Sequence, residues 1–298
     1  MKIILATDIG FDPDDFVALN LCLANPAIEL LGVVADPGYP TQIGLIRSVL
    51  KFHGREDIPI GGIRDFAKDE NDSITSLHDR TCRHLGVPVS FAVARWEGWE
   101  LIDALARDNP GTRLVTIGPL LNVNNWVKRG KATVECSYSM GGYVGDPSIN
   151  QPVTSHEYNF NAGRDGAFAL LNTKRIARKV LVSRNVTHHV LYTTELHARV
   201  QKIAESSKGH GMIAAIMDDP DQDVNPVKMM HDPLTLLVAL DESIVQLQEV
   251  TVYSTLSDWG AYPNQGTGTF ISIGNGNNVN HQRFESLFLE HGKSSRGK

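Results

Sequence analysis

The sequence predicts an α/β fold in which a mostly parallel central sheet is flanked by helices, in a Rossmann-like arrangement. Short apolar runs alternate with segments of helical periodicity, which is typical of βαβ units. The chain has 298 residues, of which 42% are hydrophobic, enough for one large domain with a sizeable core. We therefore expect a single domain over residues 1–298, ending in a disordered tail at 292–298.

The predicted elements alternate between strands and helices over residues 2–183. In chain order they are a strand at 2–7, a helix at 14–24, a strand at 28–35, a helix at 41–53, a strand at 114–117, a helix at 119–128 and a strand at 180–183. Residues 64–84 are polar and weakly periodic, so we expect a long loop there, of the kind that often forms a lid. Ligands of such sheets bind at the carboxyl ends of the strands, where we expect the functional residues.

Composition disfavours several classes of protein. A net charge of −6 argues against a nucleic-acid partner, because duplex binders usually carry a basic surface. No apolar run is long enough for a membrane span, and the apolar N-terminal stretch is too short for a signal peptide. The three cysteines are far apart, which favours free thiols in a reducing compartment. We expect a cytoplasmic protein with no membrane or nucleic-acid partner.

An acidic loop directly follows the first predicted strand. Asp8, Asp12, Asp14 and Asp15 lie within eight residues of one another. Two unit charges about 4 Å apart repel by about 4 kcal/mol at an effective dielectric constant of about 20, so such a cluster is costly without a cation. Carboxylate oxygens suit Ca²⁺ or Mg²⁺. Three of the four could instead cap the following helix, but this does not account for Asp8 on the strand side.

A second acidic position comes much later in the chain. His231, Asp232 and Pro233 directly precede an apolar helical segment. Asp232 could cap that helix, with Pro233 at its first position. It could also complete the metal site from another strand end, with His231 beside it and close to a substrate. His231 could equally be a structural histidine, so the sequence leaves these alternatives open.

Taken together, these residues resemble the inosine-uridine preferring nucleoside hydrolase family over residues 3 to about 288. The loop at 7–15, T-D-I-G-x-D-x-D-D, is similar to a longer variant of the family's D-x-D-P-G-x-D-D. Other similar segments occur in the family's order at 117–122 (IGPLLN), 140–142 (MGG), 157–159 (EYN), 185–188 (NVTH) and 231–233 (HDP). Each match is weak alone, whereas six in order are a strong resemblance.

The resemblance implies a Ca²⁺-dependent enzyme that hydrolyses the N-glycosidic bond of small-molecule ribonucleosides, assembled as a homodimer or homotetramer. It implies that Asp8 binds calcium and acts as the general base on the attacking water. The other implied calcium ligands are Asp15, Asp232 and the backbone carbonyl of Ile117. Asp14, Asn150, Glu157 and Asn159 match positions that bind ribose, and His231 matches a histidine proposed to protonate the leaving base.

Three departures from the family pattern leave the substrate open. The loop is two residues longer, so Asp12 rivals Asp8 as the base. Tyr39 stands where an asparagine usually contacts the ribose, and residues 76–79 lack the usual H-G-x-x-G. Three aromatic residues are candidates to stack on the base, although each could simply be a packing residue: Tyr39, Trp259 and Tyr262.

Other functions remain possible at this stage. One is a non-catalytic ribose- or nucleoside-binding protein on the same fold. Another is a metal-dependent phosphatase, which would typically place a Lys or Arg near the phosphate, whereas residues 8–15 contain neither. A third is that the acidic loop only stabilises the fold by binding calcium.

Overall fold

A computed structural model describes residues 1–64, 74–142, 157–219, 228–254 and 259–292. Twelve strands occur in these ranges: β1 Lys2–Thr7, β2 Glu29–Ala35, β3 Ile60–Gly62, β4 Trp96–Glu97, β5 Arg113–Thr116, β6 Val134–Met140, β7 Ile176–Val182, β8 Leu191–Tyr192, β9 Lys228–Met229, β10 Leu247–Ser254, β11 Trp259–Pro263 and β12 Thr269–Ser272. Twelve α-helices accompany them: α1 Pro13–Ala24, α2 Pro40–His53, α3 Ser76–His84, α4 Gly98–Asp108, α5 Leu121–Arg129, α6 Asn159–Ala162, α7 Arg164–Asn172, α8 Arg184–Thr187, α9 Thr194–Ala204, α10 Lys208–Met217, α11 His231–Leu240 and α12 His281–Phe288.

Ten of the strands form one sheet, in the order β11-β10-β12-β7-β6-β5-β1-β2-β3-β4. The strands from β12 to β4 pair in parallel, while β10 pairs antiparallel with both β12 and β11. Strands β8 and β9 form a separate antiparallel pair. The mostly parallel α/β sheet that the sequence predicts is therefore confirmed.

Strand β1 lies near the middle of the sheet and is buried on both faces. Ile3 and Leu5 belong to the hydrophobic core on one face, and Ile4 and Ala6 to the core on the other. Because successive strand side chains point to opposite faces, this continuous apolar run serves both layers of helices. The same burial fixes the end of β1, and with it the start of the acidic loop.

The polar segment at 64–84 is not a continuous loop. Residues 76–84 form helix α3, while 65–73 lie outside the described residues. The side chains of His78, Thr81 and Cys82 are buried on its inner face. Polar residues occupy much of this inner face, so apolar periodicity does not reveal the helix. The predicted tail also lies outside the described residues, apart from Gly292.

Two further sequence predictions concern the chain as a whole. Cys22, Cys82 and Cys136 are all free, as the spacing of the cysteines predicts, and the structure buries all three. In the described ranges, the structure contains no helix that combines the length and the apolar character needed to cross a membrane.

Candidate active site

The carboxyl edge of the parallel sheet carries a cavity of about 260 Å³. It lies where β1, β5, β6 and β7 end, the edge at which open α/β sheets bind ligands. Its lining is dominated by acidic and aromatic side chains: Asp8, Phe11, Asp12, Asp14, Asp15, Ile117, Met140, Glu157, Tyr158, Asn159, Arg184, His231 and Asp232. A larger groove of about 620 Å³ lies at the opposite edge, with Glu135 as the one carboxylate among its described lining residues.

Three carboxylates from two distant parts of the chain meet at the base of this cavity. Ligand oxygens of Asp14, Asp15 and Asp232 all lie within 4.8 Å of one another, and all three residues are buried. Asp14 and Asp15 belong to the first turn of α1, and Asp232 to the first turn of α11. The positive ends of both helices therefore face the cluster, which favours negative charge there.

Hydrogen bonds hold the cluster in place. The backbone N–H of Asp232 donates to Asp14 Oδ2 at 3.4 Å and so joins the two helix ends. The Thr7 hydroxyl, at the end of β1, donates to Asp15 Oδ1. Helix α11 begins at His231, so Asp232 lies within its first turn, and the capping role that the sequence allowed for it is wrong.

The electrostatics of the cluster call for a cation. Burial, followed by the charges of the neighbouring carboxylates, raises the pKa of Asp14, Asp15 and Asp232 well above the ordinary value. Without a cation the protein must protonate some of these groups or bear their repulsion. Several carboxylate oxygens within a few ångströms are the donor set of a hard divalent cation, so the residues present fit Ca²⁺.

Asp8 lies beside this cluster at the end of β1. It is half-buried, lines the cavity, and is not one of the three carboxylates within mutual ligand distance. Its charge nevertheless contributes to the raised pKa of Asp15 and Asp232. Burial raises the pKa of Asp8 itself to about 7, with a backbone hydrogen bond opposing this and the charge of Asp12 adding to it. Asp8 is thus a carboxylate with unusual affinity for a proton.

Asp12, the rival base, has the opposite character. It is the N-cap of α1, with its side chain accepting from the N–H of Asp14 at 3.4 Å, and it forms an ion pair with Lys228 of β9. Burial alone would raise its pKa, but the charge and hydrogen bond of Lys228, together with hydrogen bonds from the side chain and backbone of Asp14, lower it below the ordinary value. A carboxylate held in its charged form is a weak base, which favours Asp8.

The predicted ribose contacts border the same cavity. The Asn159 side-chain amide donates to the carbonyl oxygens of Ile117, at 3.1 Å, and Met140, at 3.2 Å. Glu157 accepts from the backbone N–H groups of Asn159, at 3.0 Å, and Phe160, at 2.6 Å, at the start of α6. Ile117, Glu157 and Asn159 therefore form one connected wall next to the acidic cluster.

His231 is fixed on another part of the wall. Its Nδ1 lies 2.7 Å from the Thr187 hydroxyl, and its ring centroid is 6.2 Å from that of His188. Burial, followed by the charge of Arg184, lowers the pKa of His231 to about 3. The imidazole is therefore neutral in the free protein near pH 7, and proton donation to a base requires the bound substrate to raise this pKa.

Of the remaining predicted substrate contacts, one is described by the structure and does not line the cavity, and the other is not described. Tyr39 precedes α2 as its N-cap and is not among the residues that line the cavity. Asn150 lies outside the described residues.

Trp259 is buried against Phe160, with ring centroids 5.4 Å apart, so it is a packing residue. Tyr262 is half-exposed on β11, beside Tyr253, away from the site.

Sequence reasoning assigned no role to four residues of the cavity wall, which are Phe11, Met140, Tyr158 and Arg184. Phe11 and Tyr158 line the cavity although their side chains are 50% and 63% exposed. Both lie inside motifs that the sequence marks as functional, and that position is the signal that identifies them. Arg184 directly precedes the NVTH segment, but nothing in the sequence around it indicates a functional role, and only the fold shows that it lines the cavity.

Comparison with known proteins identifies the family. The sequence model described as "Inosine-uridine preferring nucleoside hydrolase" matches residues 3–285. The chain belongs to this family. It is therefore an N-ribosyl hydrolase, of a metal-dependent family, and this outweighs the phosphatase alternative. An uncharacterized protein of Schizosaccharomyces pombe is 25% identical over 287 residues, which cover 87% of this chain and 89% of that protein.

Solved structures share the fold of this nucleoside hydrolase at low sequence identity. A plant nucleoside hydrolase aligns with a TM-score of 0.72 at 20% identity, over 97% of this chain and 98% of that one. A purine-preferring ribonucleoside hydrolase from Gardnerella vaginalis gives 0.70 at 18% identity, over 97% of each chain. An inosine-uridine preferring nucleoside hydrolase from Bacillus anthracis gives 0.69 at 17% identity, over 96% of this chain and 97% of that one.

Proposed function

We propose that this hydrolase cleaves the bond between ribose and base in ribonucleosides with a Ca²⁺ ion at the acidic cluster. The observation that carries the proposal is the convergence of Asp14, Asp15 and Asp232, from the ends of two helices, in a cavity that also contains Asp8. Bound there, the ion would lower the pKa of a water molecule and bind sugar hydroxyls.

Asp15 and Asp232 would hold this ion, together with Asp8 and the Ile117 carbonyl. Thr7 orients the Asp15 carboxylate, and Asn159 orients the Ile117 carbonyl by its hydrogen bond. Asp14 lies close enough to the same cluster to bind a ribose hydroxyl next to the ion. Because these ligands come from separate elements, an ion bound here would cross-link α1 and α11.

Asp8 would take the proton of the attacking water. A raised pKa suits this role, because a general base works best when its pKa lies near the working pH. Asp12 is less suited, since the ion pair with Lys228 lowers its pKa and occupies its carboxylate. Positioned proton transfer of this kind contributes about 10²–10⁴-fold to a rate.

Glu157 and Asn159 would bind the ribose at the wall next to the acidic cluster. Both are buried, and backbone and carbonyl groups fix their side chains before a substrate arrives. Fixed polar groups hold the anomeric carbon near the water without an ordering cost at each turnover. His231 would lie toward the base.

We also expect the enzyme to assemble as a homodimer or homotetramer, which sedimentation of the purified protein tests directly.

The test is the hydrolysis of a panel of ribonucleosides in calcium and in chelator. We expect release of reducing sugar in calcium, its loss in chelator, and its recovery when calcium is restored. At saturating calcium, Asp8→Asn should lower kcat by at least about 10²-fold, since it removes the proton acceptor.

Asp12→Asn is the matched control, because it removes the same charge from the same loop. We expect it to lose less than about tenfold in kcat, as Asp12 takes no part in the proton transfer. Unchanged turnover in chelator would overturn the role of the ion. Unchanged kcat in Asp8→Asn, or an equal loss in both variants, would overturn the role of Asp8.

A further inference from the structure

The cavity wall has one group whose charge is opposite to the rest. Six of its described residues are carboxylates, whereas Arg184 is the single arginine or lysine among them. The ion and the ribose account for the carboxylates under the proposed function, but a guanidinium does not bind the ion, because its positive charge repels a cation. Its place on the wall therefore needs a separate explanation.

The backbone fixes Arg184 on both sides. Before it, Ser183 is tied to Ser272 of β12 by N–H to Oγ and Oγ to carbonyl hydrogen bonds, both of 2.8 Å. The N–H of Arg184 donates to the Gly142 carbonyl at 3.2 Å, and its own carbonyl accepts from the N–H of His188 at 3.0 Å. The side chain starts from a rigid point at the carboxyl end of β7.

The two cations near the site are directed to different groups. Lys228 pairs with Asp12 and interacts with Asp14, at the acidic side. Arg184 begins helix α8, and the last residue of that helix, Thr187, has its hydroxyl 2.7 Å from His231 Nδ1. Arg184 is thus located on the histidine side of the cavity. Under the proposed function the ribose binds at the carboxylates, and we place the base on this other side of the cavity.

The chemistry of the leaving group suits a guanidinium at that position. In the hydrolysis, a water oxygen bonds to the anomeric carbon, the bond from that carbon to the base nitrogen breaks, and its electron pair stays on the base. One water proton goes to Asp8, and the base finally takes up one proton. An arginine does not supply that proton, because it stays charged, but it stabilises the anion with its N–H groups.

Resting on the proposed function, we propose that Arg184 contacts the leaving base and stabilises the negative charge that develops on it during bond cleavage. Arg184 is then a catalytic residue for the base half of the reaction, as Asp8 is for the water half.

The donor-only character of arginine also predicts a preference among bases. A 6-oxopurine presents two acceptors, O6 and N7, which an arginine fork binds in a bidentate manner, whereas adenine replaces the O6 acceptor by an amino donor. Inosine and adenosine differ at this one edge. Bidentate recognition of this kind discriminates by about 5- to 150-fold, so Arg184 should favour inosine over adenosine by a factor in that range.

The experiment compares the wild type with Arg184→Met and Arg184→Lys at saturating calcium. The substrates are inosine, adenosine and 4-nitrophenyl β-D-ribofuranoside, whose phenolate leaves with little help. We expect Arg184→Met to lose at least about tenfold in kcat/KM on inosine, to lose most of the preference for inosine over adenosine, and to stay within about threefold of wild type on the nitrophenyl riboside. Arg184→Lys should recover part of the rate on inosine without the full preference.

Three outcomes overturn the proposal. Equal losses on all three substrates would assign Arg184 to sugar binding or folding, and an unchanged rate on inosine would assign it no role. A wild type that prefers adenosine overturns it without any variant. The calcium-induced rise in Tm of each variant shows whether the ion site is intact. If the wild type cleaves none of the ribosides in calcium, the proposed function itself fails, and this result differs from the other three.

Discussion

Two aspartates of one loop acquire opposite properties from their surroundings. Asp8 and Asp12 are four residues apart, yet burial raises the pKa of the first to about 7 while Lys228 and hydrogen bonds lower that of the second despite its burial. The sequence could not distinguish them, because Lys228 lies more than two hundred positions away. In contrast, the acidic loop at 8–15 could be predicted, since a run of carboxylates after a buried strand is visible in the sequence itself.

The same contrast applies to the rest of the site. Asp15, Asp232, Glu157 and Asn159 were predicted because they belong to short motifs that the family shares. Tyr39 was predicted by its place in the chain, but the fold leaves it off the cavity wall. Arg184 faces the cavity only because β7 ends beside β6, a pairing that no local pattern specifies. The sequence therefore predicts site residues that lie in local motifs, and it does not predict those that only the tertiary fold brings to the cavity.

Gly118 positions Asp8 by having no side chain. A Cβ at Gly118 would lie 2.6 Å from Asp8 Oδ1 and 2.7 Å from the Asp8 backbone nitrogen, and the latter cannot move cheaply. We expect Gly118→Ala to push Asp8 out of place, to lower kcat by at least about tenfold and to destabilise the fold by about 1–3 kcal/mol. Steady-state kinetics at saturating calcium and thermal unfolding measure the two effects.

Gly211→Ala is the control. Gly211 lies in helix α10, and a Cβ there would meet only the Ala204 carbonyl, at 3.3 Å. This variant should keep its kcat. A Gly118→Ala enzyme with full activity would show that Asp8 tolerates displacement and would argue against its role as the base.

At the scale of elements, the strands and helices that the sequence revealed are those with apolar patterns. β1, β2, α1 and α2 were predicted to within two residues of their observed ends. Strand β6 was missed, because its sequence VECSYSM places serines at buried positions; Ser139 accepts a hydrogen bond from Thr116 of β5 at 2.8 Å. Helix α3 was missed for a related reason, since buried His78 and Thr81 break its apolar stripe.

The ends of α1 and α11 should depend on calcium for their order. The cluster joins the first turns of these helices, and without a cation its like charges repel. We expect chelation to increase hydrogen exchange at backbone amides of the first turns, including the N–H of Asp232, while amides of β5 and β6 stay protected. Exchange monitored by mass spectrometry in calcium and in chelator tests this.

Asp15→Asn in calcium provides the internal comparison. It removes one charge and one ligand, so the exchange of both first turns should then respond less to calcium. Equal exchange with and without calcium in the wild type would show that the ion does not join the two helices.

At the scale of the whole molecule, the parallel part of the sheet was predictable from the sequence, and the antiparallel strands at one edge of the sheet were not. Alternating apolar runs and helices predict a parallel sheet, and such a sheet gathers strand ends at one edge. The antiparallel strands β10 and β11 were not predicted. Since the site lies at the ends of β1, β5, β6 and β7, the predictable part of the fold is also the part that builds the site.

The buried carboxylates should give the calcium-free protein an unusual dependence of stability on pH. Asp8 and Asp36 have folded pKa values of about 7 and about 8, both raised chiefly by burial, against an unfolded value near 4. Between pH 4 and these values the folded state keeps protons that the unfolded state releases, so stability falls as pH rises. Buried His53, His78 and His231 have lowered pKa values and act in the opposite sense, but only below their unfolded value of about 6.5.

From pH 6.5 to 8, therefore, the carboxylates dominate, and Tm in chelator should fall by at least roughly 2 °C per pH unit. Calcium binds the ionised cluster, so the rise in Tm that it causes should grow over the same range. Asp36 does not line the cavity, and its side chain accepts a hydrogen bond of 2.7 Å from the Asn122 side chain. Asp36→Asn should therefore flatten the fall of Tm in chelator and still leave a calcium-induced rise in Tm. A Tm in chelator that is constant or rising from pH 6.5 to 8 would mean that these carboxylates are already ionised in the metal-free fold, and the electrostatic case for a cation at the cluster would be lost.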